Sequence, residues 1–76
     1  MPRSDPEKSL RKLGENVRAL RVRMEFSQEQ LAELAELDRT YIGGLERGER
    51  NATVQTLVRV AKALGVSVAV LCKGVE

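Results

Sequence analysis

An all-α, compact five-helix domain is what this sequence predicts, on three observations. Apolar residues recur at steps of three and four over most of its length, the repeat of a helix with one buried face. Helix-starting residues such as Ser27, Asp38, Thr53 and Ser67 precede these runs, and Gly48, Gly65 and Gly74 follow them. Leu, Ala, Val, Glu and Arg dominate, with one Phe, one Tyr and no Trp. At 76 residues the chain is a single domain whose core has to be small and closely packed.

The elements follow in order. Residues 1–5 read as a flexible arm, and 6–74 as the folded domain with a C-terminal dimerisation region. Asp5, Pro6 and Glu7 look like an N-cap, a first-position proline and a first-turn acid. Leu10, Leu13, Val17, Leu20 and Met24 then form one apolar stripe of a helix ending near Glu25. Arg11, Lys12, Arg18 and Arg23 lie largely off it and read as a solvated face.

Ser27 with Gln30 is a capping box, starting a second helix at Gln28 that runs to Ala35 with Leu31, Leu34 and Ala35 inward. The Asp38 carboxylate is placed to cap a third helix, Arg39 to Arg47, stopped by Gly48 in a left-handed conformation; Ile42 and Leu45 are its inner side. Thr53 caps a fourth helix, Val54 to Leu64, closed by Gly65 and buried through Leu57, Val60, Ala61 and Leu64. The tail is ambiguous: Val66, Val68 and Val70 alternate as in a strand, whereas Ser67 and Gly74 suit the two ends of a short helix. A short helix is the reading adopted. Val58, Val66, Val68, Val70 and Leu71 offer more apolar surface than so small a core needs, which points to a homodimer face.

Composition removes several classes of function. There is no histidine and a single cysteine, so metal centres, nucleophile triads and disulfides lack their components, and no enzyme activity or cofactor is expected. No apolar run approaches a membrane span and no leader pattern is present; a cytoplasmic protein with Cys72 reduced is expected, without membrane or small-molecule partners. Net charge is only +2, and Arg39, Arg47 and Arg50 are matched locally by Asp38, Glu46 and Glu49. Spacing therefore has to carry the argument.

Two short helices joined by a fixed turn read duplex DNA when the second presents its amino end to the major groove. Counting from Gln28, positions four, five, eight, ten, fifteen and eighteen are Leu31, Ala32, Ala35, Leu37, Ile42 and Leu45, each the small or apolar type that packing of such a pair requires. With these residues, and with LRVRMEFSQEQLAELA, YIGGLERGERN and ALGVSVAVL, the chain resembles the Cro and phage-repressor-like (XRE) helix-turn-helix family. DRTYIGGLERGERN is most similar to the controller proteins of restriction-modification systems, with antitoxins and phage repressors sharing part of it.

The resemblance implies a transcriptional regulator acting as a homodimer on a palindromic operator near its own promoter. Arg39, Thr40, Tyr41 and the Gly44 position would face base edges, Arg39 suiting a guanine and Thr40 a thymine methyl. Gln28, Arg47, Arg50 and Asn51 would hold phosphates. Arg21 and Glu46 would form a structural ion pair, and Glu29 and Glu33 would touch the sigma subunit of RNA polymerase. Four residues depart from the pattern at three places: Glu36 in place of a turn glycine, Gly43 and Gly44 inside the reading helix, and Ala52 in place of proline.

Overall fold

Five helices follow one another through the computed structural model, which describes residues 6–76; the expected arm and the Asp5 cap lie outside the described residues. They are α1 (Pro6–Arg23), α2 (Gln28–Ala35), α3 (Arg39–Glu46), α4 (Val54–Leu64) and α5 (Val68–Leu71), with no strand among the described residues. The tail is thus helical, its valines held out of a strand by Ser67, whose hydroxyl accepts the Val70 amide at 3.1 Å. No described helix is long and apolar enough to cross a membrane.

One motif ends the first four helices. In each, a residue of positive φ follows the helix, its N–H returns to the carbonyl three back and the next N–H to the carbonyl five back. That is a Schellman closure, and it satisfies carbonyls a helix end would otherwise leave bare. Gly48 (φ 77°) and Gly65 (φ 71°) adopt it as expected. Glu36 (φ 57°) adopts it despite a side chain, as the absence of glycine there required. Glu25 (φ 59°) does so as well, which ends α1 at Arg23 and leaves Met24 46% exposed instead of completing the stripe.

The helix starts follow the sequence with one exception. Ser27 and Gln30 form the reciprocal capping box, and Thr53 accepts the Thr56 amide. Asp38 has extended backbone at the start of α3, but its carboxylate makes no capping bond. The α3 amino end is therefore not closed by its own acid.

Leu13, Val17, Leu31, Ile42, Leu45, Val60, Leu64 and Leu71 build the core, with Ala32, Ala35 and Ala61 where helices approach closely. Each larger member contributes about 1.5 to 3 kcal/mol by leaving water. Leu34 is not among them. At about 100° per residue, Leu31, Ala32 and Ala35 share one arc of α2 and Leu34 falls outside it, so it is 56% exposed. Leu71 is completely buried within its own chain and offers no surface to a partner.

Two tight contacts fix α1. Gly14 faces the end of α3 so closely that a Cβ there would stand 2.5 Å from the carbonyl oxygens of both Leu45 and Glu46. Asn16 donates its amide to the Leu71 and Lys73 carbonyls at 2.9 and 2.8 Å, tying down a four-residue helix too short to hold itself. Ser9 donates to the Glu76 carbonyl, and Val75 packs on the core.

Candidate nucleic-acid interface

α3 turns Ile42 and Leu45 into the core, which leaves Arg39 and Thr40 on its amino-terminal turn facing solvent. Arg39 makes no hydrogen bond or ion pair with any described residue. A cation standing alone beside a helix amino end, on a helix seated firmly behind, suits recognition of an acceptor-rich surface.

The seat is a part-buried polar network. Arg21 of α1 donates Nε and Nη2 to the two carboxylate oxygens of Glu46, at 2.6 and 3.1 Å, and Nη1 to the Phe26 carbonyl at 2.8 Å. The side chains are only 13% and 4% exposed, so this ion pair is largely shielded from salt. Gln28 joins it, donating Nε2 to Glu46 at 3.1 Å. Sequence reasoning gave Gln28 a phosphate; here its amide spans α2 and α3, and the same carboxylate fixes three elements.

The two glycines of α3 have a use that helix propensity hides. Gly43 lies beneath the Arg47 guanidinium, whose Nη1 would be 3.1 Å from an added Cβ, and Gly44 lies beneath Arg50, at 3.0 Å from its Cγ. Both are buried by those arginines. Gly44 therefore presents no surface of its own in this state; the Arg50 side chain stands over the position expected to face bases. Arg50 continues over the half-buried Tyr41 ring, 5.6 Å from its centroid.

Arg47 is held from its other side. Its Nε and Nη2 donate to the two carboxylate oxygens of Glu49 at 3.0 and 3.2 Å. That hydrogen-bonded pairing, then the Arg47 charge, and lastly that of Arg50 draw the Glu49 carboxyl below its ordinary pKa. Asn51 is exposed on the loop after Arg50. Arg39 and Thr40 thus stand open, Tyr41 and Arg50 cover one another, and Gln28 and Arg47 are engaged within the chain.

Other expected sites fall elsewhere. Glu29 and Glu33 are exposed on α2, Glu33 bordering a shallow groove of about 230 Å³ lined also by Phe26, Gln30 and Leu34. Val58 and Val70 are exposed on α4 and α5, joined by Val54 at 73% exposure, which is not among the residues expected to form the dimer face. Val66 and Val68 are half-buried against the core.

Comparison with known proteins agrees with this geometry. Residues 17–71 match the family model described as helix-turn-helix. The chain belongs to the helix-turn-helix family. Among its relatives, control protein C.SmaI of Serratia marcescens is 59% identical over 56 residues, covering 74% of this chain and 67% of that protein. The crystal structure of the restriction-modification controller protein C.AhdI from Aeromonas hydrophila superposes with a TM-score of 0.83 at 42% identity, covering 84% of this chain and 97% of that one. The controller protein C.Esp1396I, crystallised as a tetramer in complex with its natural 35 base-pair operator, gives a TM-score of 0.78 at 38% identity, covering 86% of each chain. The resemblance to helix-turn-helix controllers drawn from DRTYIGGLERGERN is thereby established for the fold as well as the sequence.

Proposed function

We infer that this chain is a sequence-specific, duplex-DNA-binding transcriptional regulator of the restriction-modification controller type, acting as a homodimer on a palindromic operator near its own promoter. The observation that carries the reading is the exposed Arg39, without a partner among the described residues, beside Thr40 at the amino end of a helix locked from behind by Arg21, Glu46 and Gln28. Arg39 suits a guanine through O6 and N7, and Thr40 a neighbouring thymine methyl. Arg47, Arg50 and Asn51 serve the flanking phosphates, and Tyr41 follows Arg50 as that cation moves between ring and DNA. The relative solved on its operator supports a DNA partner for this chain.

One such module covers too few base pairs for useful selectivity, and two-fold pairing supplies the rest. Val54, Val58 and Val70 are the apolar side chains available for it. Replacing Val58 by aspartate is expected to shift the chain from dimer to monomer in sedimentation at micromolar concentration while its helical circular dichroism stays unchanged; an unaltered dimer would place the interface elsewhere. Sites selected from random duplexes by the intact chain are expected to be palindromic, with half-sites about 34 Å apart.

Glu29 and Glu33 give the same protein a route to activation, by contact with the sigma subunit of RNA polymerase. Their separation from Arg39 and Thr40 in the sequence and their exposure on α2 make the two functions separable. With both changed to alanine, operator affinity is expected to remain within about twofold, as for surface substitutions generally, while stimulated transcription from the neighbouring promoter is lost. Full stimulation by the double variant would remove this role.

A further inference from the structure

Arg47 and Arg39 are both exposed arginines of the DNA-facing segment, yet the chain treats them oppositely. Arg39 has no partner among the described residues, whereas the Nε–Nη2 edge of Arg47, the edge that grips a phosphate with two parallel bonds, is filled by the carboxylate of Glu49. The two residues are separated by one position, so the pair closes with little loss of chain freedom. Gly43 completes the seat, since a side chain there would press on Arg47 Nη1.

We propose that Glu49 is an internal stand-in for a DNA phosphate, holding Arg47 against α3 and lowering the sequence-independent part of DNA affinity. This rests on the reading of Arg47 as a backbone-binding residue. The chemistry is an exchange of partners: a planar fork donating two hydrogen bonds to a carboxylate gives them instead to two phosphate oxygens. The pair is 59% and 60% exposed, open to water on both partners, so the exchange needs no unfolding. Its depressed carboxyl pKa agrees with Glu49 being anionic whenever the protein meets DNA. Phosphate contacts are common to every sequence, so a cation occupied in this way weakens binding to bulk DNA without touching the residues that read bases.

The test is a four-protein cycle on the full chain: wild type, Glu49→Gln, Arg47→Ala and the double variant. Each is titrated by fluorescence anisotropy against a 30-base-pair duplex of scrambled sequence at fixed salt, with a thermal melt by circular dichroism as the folding control. Glu49→Gln is expected to bind about two- to fivefold more tightly than wild type, the range of an exposed two-point ion pair. In the Arg47→Ala background the same change is expected to give a clearly smaller gain, because the cation it frees is gone and only the weaker influence on Arg50 is left. Unchanged affinity for Glu49→Gln overturns the proposal. So does a gain of equal size with and without Arg47, which would make Glu49 a general repellent of DNA. A wild type that binds no duplex, scrambled or selected, instead defeats the regulator reading itself and takes this proposal with it.

Discussion

Arg39→Ala is expected to lower affinity for the selected operator by at least about 30-fold, while affinity for scrambled duplex falls by less than about fivefold. A bidentate arginine–guanine contact contributes about 1 to 3 kcal/mol of discrimination, and a dimer makes it twice. Even at the lower end, about 2 kcal/mol in total exceeds a tenfold loss, since each factor of ten is 1.4 kcal/mol. On scrambled DNA only a charge is removed. Because Arg39 has no partner among the described residues, its removal breaks nothing inside the protein, and the melting temperature is expected to hold. Titration of both duplexes checks the prediction; losses of equal size on the two would make Arg39 a phosphate contact.

The largest effect on stability is expected from the smallest substitution, Gly14→Ala. Judged on propensity, an alanine inside α1 should stabilise the helix by about 1 kcal/mol. The added Cβ would meet the carbonyl oxygens of Leu45 and Glu46 at 2.5 Å, and backbone at both points has no rotamer with which to retreat. α1 and α3 would have to part, loosening Val17, Ile42 and Leu45 and stretching the Arg21–Glu46 pair. A net loss of about 2 to 3 kcal/mol follows from overpacking of this kind. In a domain of this size that lowers the melting temperature by about 10 to 20 °C. Gly43→Ala is the control. Its nearest neighbour is the end of the Arg47 side chain, which swings away, so a change of a few degrees at most is expected.

The caps of α2 and α4 and the apolar offsets that pack α2 on α3 were legible because each rests on residues close together in sequence. Ser27 with Gln30, Thr53 with its helix, Glu36 forced to a positive φ, and the offsets of Leu31, Ala35, Ile42 and Leu45 are local chemistry. What escaped depended on direction or on partners brought by folding. The end of α1 near Glu25 is visible in the spacing, but nothing local shows that Glu25 itself takes the left-handed conformation. Leu34 has the right spacing from Leu31 but belongs to a two-turn helix whose inner arc is narrow. Leu71 counted as surplus apolar surface until α5 turned it inward.

The site shows the same division. The Arg21–Glu46 pair came from resemblance, since twenty-five residues separate its members and only packing of α1 on α3 joins them. Gln28 was given a phosphate because its place at the amino end of α2 was visible and the Glu46 carboxylate beside it was not. Glu49 was counted only as one of three acids matching three arginines; its two-residue spacing from Arg47 was the one available signal of a direct pair. Gly43 and Gly44 looked like weak points of α3 because nothing in the order of residues shows Arg47 and Arg50 folding back across them.

The central claim is that the amino end of α3 enters the major groove with Arg39 against a guanine. Methylation interference on a duplex selected from random sequence tests it most directly, because a methyl group on guanine N7 lies on the groove face that this arginine would read. The account predicts that methylating one guanine per half-site, symmetrically placed, blocks binding by wild type and has no effect on binding by Arg39→Ala. Interference that persists unchanged in the variant, or wild-type binding indifferent to every N7 methyl group, would contradict it.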